Sequence, residues 1–268
     1  MTSRRENVLG VGVDAVDYAG ALSEILEAAH ENRPLAVTAL AVHGLMEGVR
    51  DVPFGSLLST FDIVAPDGQP VRWALNLLHS SGLVDRVYGP ELTARVVACC
   101  ERERLPIYLY GSTSETLRLL SSTLRERHPG LTIAGSEPSR FGMLTENEAA
   151  KLASRINESG AKCVLVGLGC PRQESFVAAM RPLVNAPLLA VGAAFDYHAG
   201  NLKNPPDWMQ RKGLEWFWRL MLEPRRLWRR YLLLNPLFLA MLFRQWFTGS
   251  VRPIADPSTY SRPNQFNG

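Results

Sequence analysis

The chain has little that would staple, anchor or export it. Its four cysteines (Cys99, Cys100, Cys163 and Cys170) form no paired C-x-x-C spacing, and two are adjacent, which suits neither a zinc site nor a disulfide framework. Reduced thiols in a cytoplasmic protein are the expectation. No apolar stretch follows Arg4 and Arg5, so no signal peptide or first membrane span is expected. The most apolar run, Tyr231 to Phe243, is about thirteen residues long and contains Asn235 and Pro236, whereas a span needs ~20 apolar residues. Also missing are a G-x-G-x-x-G opening a helix and a G-x-x-x-x-G-K-[ST]. Their absence argues against a dinucleotide-dependent epimerase or dehydrogenase and against a P-loop enzyme. With 46% hydrophobic and 21% charged residues, the chain can build a sizeable core, and disorder is not its default.

Charge is present but unevenly spread. Between Lys203 and Phe247 nine Lys or Arg face Asp207, Glu215 and Glu223, a net +6, which leaves −3 for the remainder of a chain whose total is +3. A slightly acidic body therefore carries a basic, aromatic C-terminal segment that meets an anionic surface, an anionic ligand or solvent. A nucleic-acid binder would use such a segment too, but the acidic balance of the body argues against that partner.

Apolar runs bounded by turn residues recur at Leu35 to Leu40, Ile107 to Tyr110, Leu131 to Ala134, Cys163 to Leu168 and Leu188 to Val191. Between them Glu91 to Arg104, Glu115 to Arg127, Glu146 to Ser159 and Gln173 to Arg181 have apolar residues three and four apart, the spacing of helices. The alternation predicts an α/β fold, a Rossmann-like, mainly parallel sheet with helices on both faces. Lys203-Asn204-Pro205-Pro206 interrupts regular structure and places a boundary near residue 203. Three units are expected: residues 1–202 as the α/β core, 203–248 as a basic helical appendage broken at Glu223-Pro224 and Asn235-Pro236, and 249–268 as a disordered polar tail. The run Tyr231 to Phe243 suits packing against the core and docking on a membrane equally well.

One stretch stands out for chemistry. In Phe61-Asp62-Ile63-Val64-Ala65-Pro66-Asp67-Gly68 an apolar run ends in a carboxylate held by proline and glycine, at the strand end where open α/β sheets place reactive groups. Asp67 is either a catalytic group or the N-cap of a helix starting near Gln69. Other strands run into glycine at Gly111, Gly167 with Gly169, and Gly192, where the backbone can approach a phosphate closely.

These segments resemble the WecG/TagA/CpsF family of bacterial glycosyltransferases. The carriers are Asp62 to Gly68, Arg86-Val87-Tyr88-Gly89-Pro90-Glu91-Leu92, Gly167 through Glu174, Val191 through Asp196, and Pro206 to Gln210 with Gly213-Leu214-Glu215-Trp216. Glu223 through Tyr231 matches as well. The resemblance implies a peripheral enzyme at the inner face of the cell membrane. It would transfer a sugar, with inversion, from a UDP-sugar to an undecaprenyl-diphosphate-linked sugar in surface-polysaccharide synthesis.

On that resemblance Asp67 is the base and Thr38 a further active-site residue that contacts substrate or orients Asp67. Arg86 becomes a phosphate partner, while Gln173 and Asp196 contact sugar or nucleotide. Gly111, Gly167 and Gly169 would offer backbone amides to the leaving diphosphate. Arg219, Arg226 and Arg229 would meet the lipid diphosphate or anionic headgroups, with Trp216, Trp218, Trp228 and Trp246 as interfacial anchors. Many relatives carry asparagine where this chain has Leu40, and His43 is the candidate replacement. No D-x-D is present, so metal-independent transfer without a cofactor is expected. N-acetylmannosamine, its uronic acid and glucose are all donor sugars within the family, and the residues do not choose among them or state whether the chain self-associates.

Overall fold

The computed structural model describes residues 4–254 except 141, 143, 204, 207, 210, 211, 250 and 252; the side chains of residues 226 and 230 are likewise outside the described set. A hairpin opens the chain, β1 (Arg4–Val8) pairing antiparallel with β2 (Val11–Ala15). Its two-residue turn uses Leu9 and Gly10, both at positive φ, as a tight hairpin requires. Then follow α1 (Tyr18–Glu31), β3 (Leu35–Leu40), α2 (Val42–Arg50), α3 (Val52–Ser59), β4 (Ile63–Pro66) and α4 (Gln69–His79). The middle of the chain supplies α5 (Gly89–Glu103), β5 (Ile107–Gly111), α6 (Ser114–Arg127), β6 (Ile133–Glu137), α7 (Glu146–Glu158), β7 (Cys163–Gly167) and α8 (Arg172–Met180). After β8 (Pro187–Ala190) and the short α9 (Ala194–His198) the described residues include the C-terminal helices α10 (Glu215–Leu222) and α11 (Pro224–Thr248).

Six strands form one parallel sheet in the order β4-β3-β8-β7-β5-β6. Parallel strands need crossover helices, and helices on both faces let the central strands be apolar throughout, as in Cys163-Val164-Leu165-Val166. Alternate residues of each strand feed two separate cores. Ile107 and Leu109 point to the face covered by α1, α5, α6 and α9, where Ile25, Val96, Leu117 and Phe195 are buried. Tyr108 and Tyr110 point to the opposite face, with Leu45, Leu58, Leu152 and Met180.

The second core also takes in the hairpin and the C-terminal helix. Leu234, Phe238 and Leu242 of α11 are buried in it beside Val8 and Val11, and the Gln245 side chain accepts a hydrogen bond from the Leu9 amide at 2.8 Å. Buried residues recur at 227, 234, 238, 242 and 245, one stripe of a helix. Core packing of this segment is therefore established, and its outward face stays open to other uses.

Three sequence expectations change. Pro236 does not break the segment; it lies inside α11. Proline removes one amide and crowds the carbonyl four residues earlier, that of Leu232, and both lie on the exposed side of the helix, where water can take the freed carbonyl. The strand expected at Leu131 to Ala134 is displaced to Ile133–Glu137, because Ile107 takes the Thr132 carbonyl and the pairing register shifts after it. The expected disordered tail is tied down where it is described: Ile254 donates to the Gly10 carbonyl at 2.8 Å, and Asn7 donates to the Val251 carbonyl at 2.8 Å. Residues 255–268 of that expected tail lie outside the described residues.

Candidate active site

A cleft of about 800 Å³ opens at the C-terminal ends of the strands. The loops after β3, β4, β5, β7 and β8 form one wall, and Arg219, Leu227, Arg229 and Leu233 of α10 and α11 form the other. This is the edge at which parallel sheets collect their loops and helix N-termini.

Asp67 follows β4 directly and lines the cleft. Its amide donates to the Leu40 carbonyl at 3.1 Å, which fixes the turn between neighbouring strands. The capping role is not the one it performs: Gly68, at φ 96°, is the N-cap of α4, and no side chain caps that helix. The carboxylate accepts instead from the Gly89 amide at the start of α5, and a Cβ added to Gly89 would lie 3.5 Å from Asp67 Oδ2. Loss of water around Asp67 pushes its pKa up to about 7; Arg86, the Gly89 amide and Arg219 oppose that rise, and Glu215 adds to it. A carboxylate poised near neutrality is suited to accept a proton.

Arg86 is not in the cleft wall. It is buried behind Asp67, its guanidinium 4.3 Å above the Tyr88 ring, and both terminal nitrogens donate to the carboxylate of Glu215. Its expected phosphate contact gives way to this fork-to-fork pair, which uses the donors a phosphate would need.

Thr38 lies in β3 and is fully buried. Its hydroxyl donates at 3.0 Å to Glu174 Oε1, so what it orients is Glu174 and not Asp67. Gln173, in the first turn of α8, accepts from the Gly169 amide at 3.1 Å and donates to the same Glu174 oxygen at 3.0 Å. Glu174 is 1% exposed, and burial raises its pKa. Thr38, Gln173 and Glu174 thus form one buried network under the floor of the cleft, with Gln173 and Glu174 reaching its lining.

The glycines serve packing as much as any ligand. A Cβ on Gly111 would meet the Gly167 carbonyl at 2.6 Å, and one on Gly167 would meet Phe195 at 2.5 Å. Amides near them are already bonded: Ser112 donates to the Gly167 carbonyl at 2.8 Å and Gly169 to Gln173. Of the amides expected to cradle a diphosphate near Gly111, Gly167 and Gly169, those of Ser112 and Gly169 are thus engaged within the protein. Gly167 and Gly169 still border the cleft, and Gly169 needs its positive φ of 78°.

Asp196 in α9 and His43 in α2 both line the cleft; Asp196 accepts from Asn201 at 3.3 Å, and His43 faces Glu47 at 3.7 Å. Leu40 borders it as an apolar residue. Arg219 enters from α10 with Glu223 at 3.9 Å beside it, and Arg229 enters from α11 with its guanidinium 5.2 Å from the Trp228 ring. The Arg226 side chain is outside the described residues. Of the four expected anchors, Trp228 and Trp246 are about half exposed. Trp216 packs on Tyr231 of α11 and Trp218 donates to the Lys203 carbonyl at 3.0 Å, and both are half-buried. Tyr88, Tyr197, Arg50 and Arg172 also line the cleft and were not singled out from sequence. Glu174 and Glu215 were quoted only as parts of longer matching segments. The four-residue spacing of Glu215 and Arg219 was the available signal, since it sets both on one side of a helix.

Carboxylates, tyrosines and arginines thus gather at the strand ends of a parallel sheet, and comparison with known proteins defines the class: the chain is a glycosyltransferase. Residues 6–252 match the model of the glycosyl transferase WecG/TagA/CpsF family, and the chain belongs to that family. It is 30% identical over 185 residues, 69% of this chain and 70% of the relative, to the N-acetylglucosaminyldiphosphoundecaprenol N-acetyl-beta-D-mannosaminyltransferase of Bacillus subtilis (strain 168).

Proposed function

We propose that the enzyme transfers a hexose or N-acetylhexosamine from a UDP-sugar to a polyprenyl-diphosphate-linked sugar, with inversion at the anomeric carbon. The reading rests foremost on Asp67, a carboxylate on the cleft wall whose pKa is pushed up to about 7 by loss of water. In the transfer, the acceptor hydroxyl gives its proton to Asp67 as its oxygen bonds to the anomeric carbon. The bond from that carbon to the diphosphate oxygen breaks, and UDP leaves with the electron pair. Charge growing on the leaving diphosphate calls for fixed cations. Arg219 and Arg229, which line the cleft, would supply them or hold the acceptor's own diphosphate. No D-x-D motif accompanies this arrangement, and we assign the reaction no metal. The relative from B. subtilis, by its name, acts on an undecaprenyl-diphosphate-linked N-acetylglucosamine and transfers N-acetylmannosamine, which makes UDP-N-acetylmannosamine the first donor to assay.

The same reading gives the outward face of α11 to an anionic membrane surface. Leu232, Leu237, Phe243, Trp246 and Phe247 are exposed there, opposite the buried stripe, with arginines at either end. Among the described residues no helix is long and apolar enough to cross a membrane.

Asp67→Asn should leave UDP-sugar binding intact and lower turnover by roughly 10²–10⁴-fold, the usual share of a general base. Wild-type turnover should survive EDTA. Near-normal transfer by Asp67→Asn would reject Asp67 as base, and a loss in EDTA reversed by Mg²⁺ or Mn²⁺ would reject metal independence.

A further inference from the structure

Glu215 belongs to neither the cleft lining nor the apolar core, yet it is 8% exposed and ion-paired. A buried charge pair is costly to build, and breaking one partner away is costlier still, so its location asks for a reason. Three observations define it. Arg86 lies on the segment that brackets Asp67: Val87 donates to the Pro66 carbonyl at 2.9 Å, and the Gly89 amide donates to the Asp67 carboxylate. Glu215 takes both terminal nitrogens of Arg86, so the guanidinium is turned toward α10. One turn further along α10, Arg219 enters the cleft. Charges therefore alternate from the base outward: Asp67, Arg86, Glu215, Arg219.

The local fold is built to bring Glu215 to this place. Gly213 sits at φ 70° against α4, where a Cβ would lie 3.0 Å from Gln69 Cβ and 3.1 Å from Trp73. Leu214 closes the turn by donating to the Met209 carbonyl at 2.8 Å. Only a residue without a side chain lets the chain pass so near α4 and start a helix with Glu215 over Arg86. On the other side, the Asp85 carboxylate accepts from the Arg86 amide at 2.8 Å and from Gln69 at 3.1 Å, so the backbone of Arg86 is held by the same α4 terminus.

We propose that Glu215 is a positioning residue for the transfer: it holds the Arg86 guanidinium off Asp67 and so keeps that carboxylate a competent proton acceptor near neutral pH. Without Glu215 the strongest remaining anionic influence on the buried guanidinium would be Asp67, and the two would pair. A carboxylate held by arginine is a weak base, with its pKa depressed by roughly 1–3 units. Docking of α10 thus does two things at once, since the helix that brings Arg219 to the cleft also removes Arg86 from the base. The ionisable groups facing Asp67 are Arg86, Glu215 and Arg219, together with the hydroxyls of Tyr18 from α1 and Tyr88 before α5. Arg86 and Arg219 favour the ionised carboxylate and Glu215 disfavours it, so removing the charge of Glu215 lowers the pKa of Asp67.

The inference rests on Asp67 being the base and is tested by the pH dependence of kcat/KM, with folding followed by thermal unfolding. In Glu215→Gln the acid limb should move down by roughly one pH unit and the plateau should fall. A limb that stays in place while the plateau falls would mean Glu215 only supports the fold, and would overturn the proposal. Should Glu215→Gln not fold, Arg86→Gln and the double variant Arg86→Gln/Glu215→Gln replace it, because the double variant leaves no buried charge alone. With no guanidinium left to turn onto Asp67, both variants should keep the limb at or above its wild-type position, and a limb about one pH unit lower in the double variant would overturn the proposal. Asp67→Asn separates the two layers. If it retains turnover, the base reading fails and this inference with it; if it is inactive and the Glu215 limb is unmoved, the inference alone fails.

Discussion

The two walls of the cleft are made by opposite means. The strand side holds its polar groups by exclusion of water: Thr38, Gln173 and Glu174 are each under 5% exposed, and Thr38 and Gln173 both donate to Glu174 Oε1. The helical side carries an exposed Arg229 beside a part-buried Arg219 and spreads large apolar side chains over its outer surface, with Phe247 at 77% exposure and Leu232 at 54%. The first arrangement fixes geometry and shifts pKa values; the second can meet a soft, anionic partner without losing its own fold. The proposed transfer from a soluble nucleotide sugar to a lipid-linked acceptor would draw on both properties in one cleft.

The contrast breaks if the helical side is merely hung on the core. Phe238→Ala decides this, because Phe238 is 1% exposed in the cluster shared with the hairpin. Its truncation should cost about 3–5 kcal/mol and lower the melting temperature of the whole chain in one transition. A separate low transition with the main one unchanged would show two independent units. Next in size is Arg219→Ala, expected to reduce kcat/KM for the lipid-linked acceptor about ten- to hundred-fold, the ~1.5–3 kcal/mol of a hydrogen bond to a charged group. An equal loss measured with UDP-sugar hydrolysis in water would move Arg219 to the donor's side. Smaller again is Phe247→Ser with Trp246→Ser, placed on the outward face of α11. Melting should stay within ~0.5 kcal/mol of wild type, as for exposed sites generally. Binding to vesicles of anionic lipid should drop several-fold, and unchanged co-sedimentation would remove the membrane from the reading. Truncating the chain near residue 203 would be a poor substitute, since it strips Leu234, Phe238 and Leu242 from the core.

The strand side was far more legible in the sequence than the helical side. Strands β3, β5, β7 and β8 and helices α5, α6, α7 and α8 lie within a few residues of their expected places, because buried parallel strands and amphipathic helices carry strong periodic patterns. The hairpin escaped notice. Arg4-Arg5-Glu6-Asn7 reads as polar, and only the structure reveals that Arg5 pairs with Asp14 at 2.6 Å, whose carboxylate in turn accepts from the Val64 amide. Asp67 was visible because proline and glycine frame it. The partners of Thr38 and Arg86 were not, since Glu174 and Glu215 lie 136 and 129 residues away and no local spacing announces such contacts. Helix α11 passes through Pro236 for a reason composition cannot state, namely that the proline falls on the open side of the helix.

A measurement of stability against pH sharpens the comparison most, because it isolates exclusion of water on the strand side. Asp67 has its pKa raised to about 7 in the fold, against about 3.9 in an unfolded chain. The folded protein therefore holds the Asp67 proton more tightly than the unfolded one. Stability from that proton is fully present below pH 4 and is lost as pH rises through 7. Asparagine has no such proton to lose. Asp67→Asn should thus match wild type in melting temperature near pH 4 and melt higher above pH 7, by roughly 2–4 °C for each ~1 kcal/mol in a chain of this size. Equal melting at pH 8 would mean that water reaches the carboxylate freely, and the strand side would then differ from the helical side in composition alone.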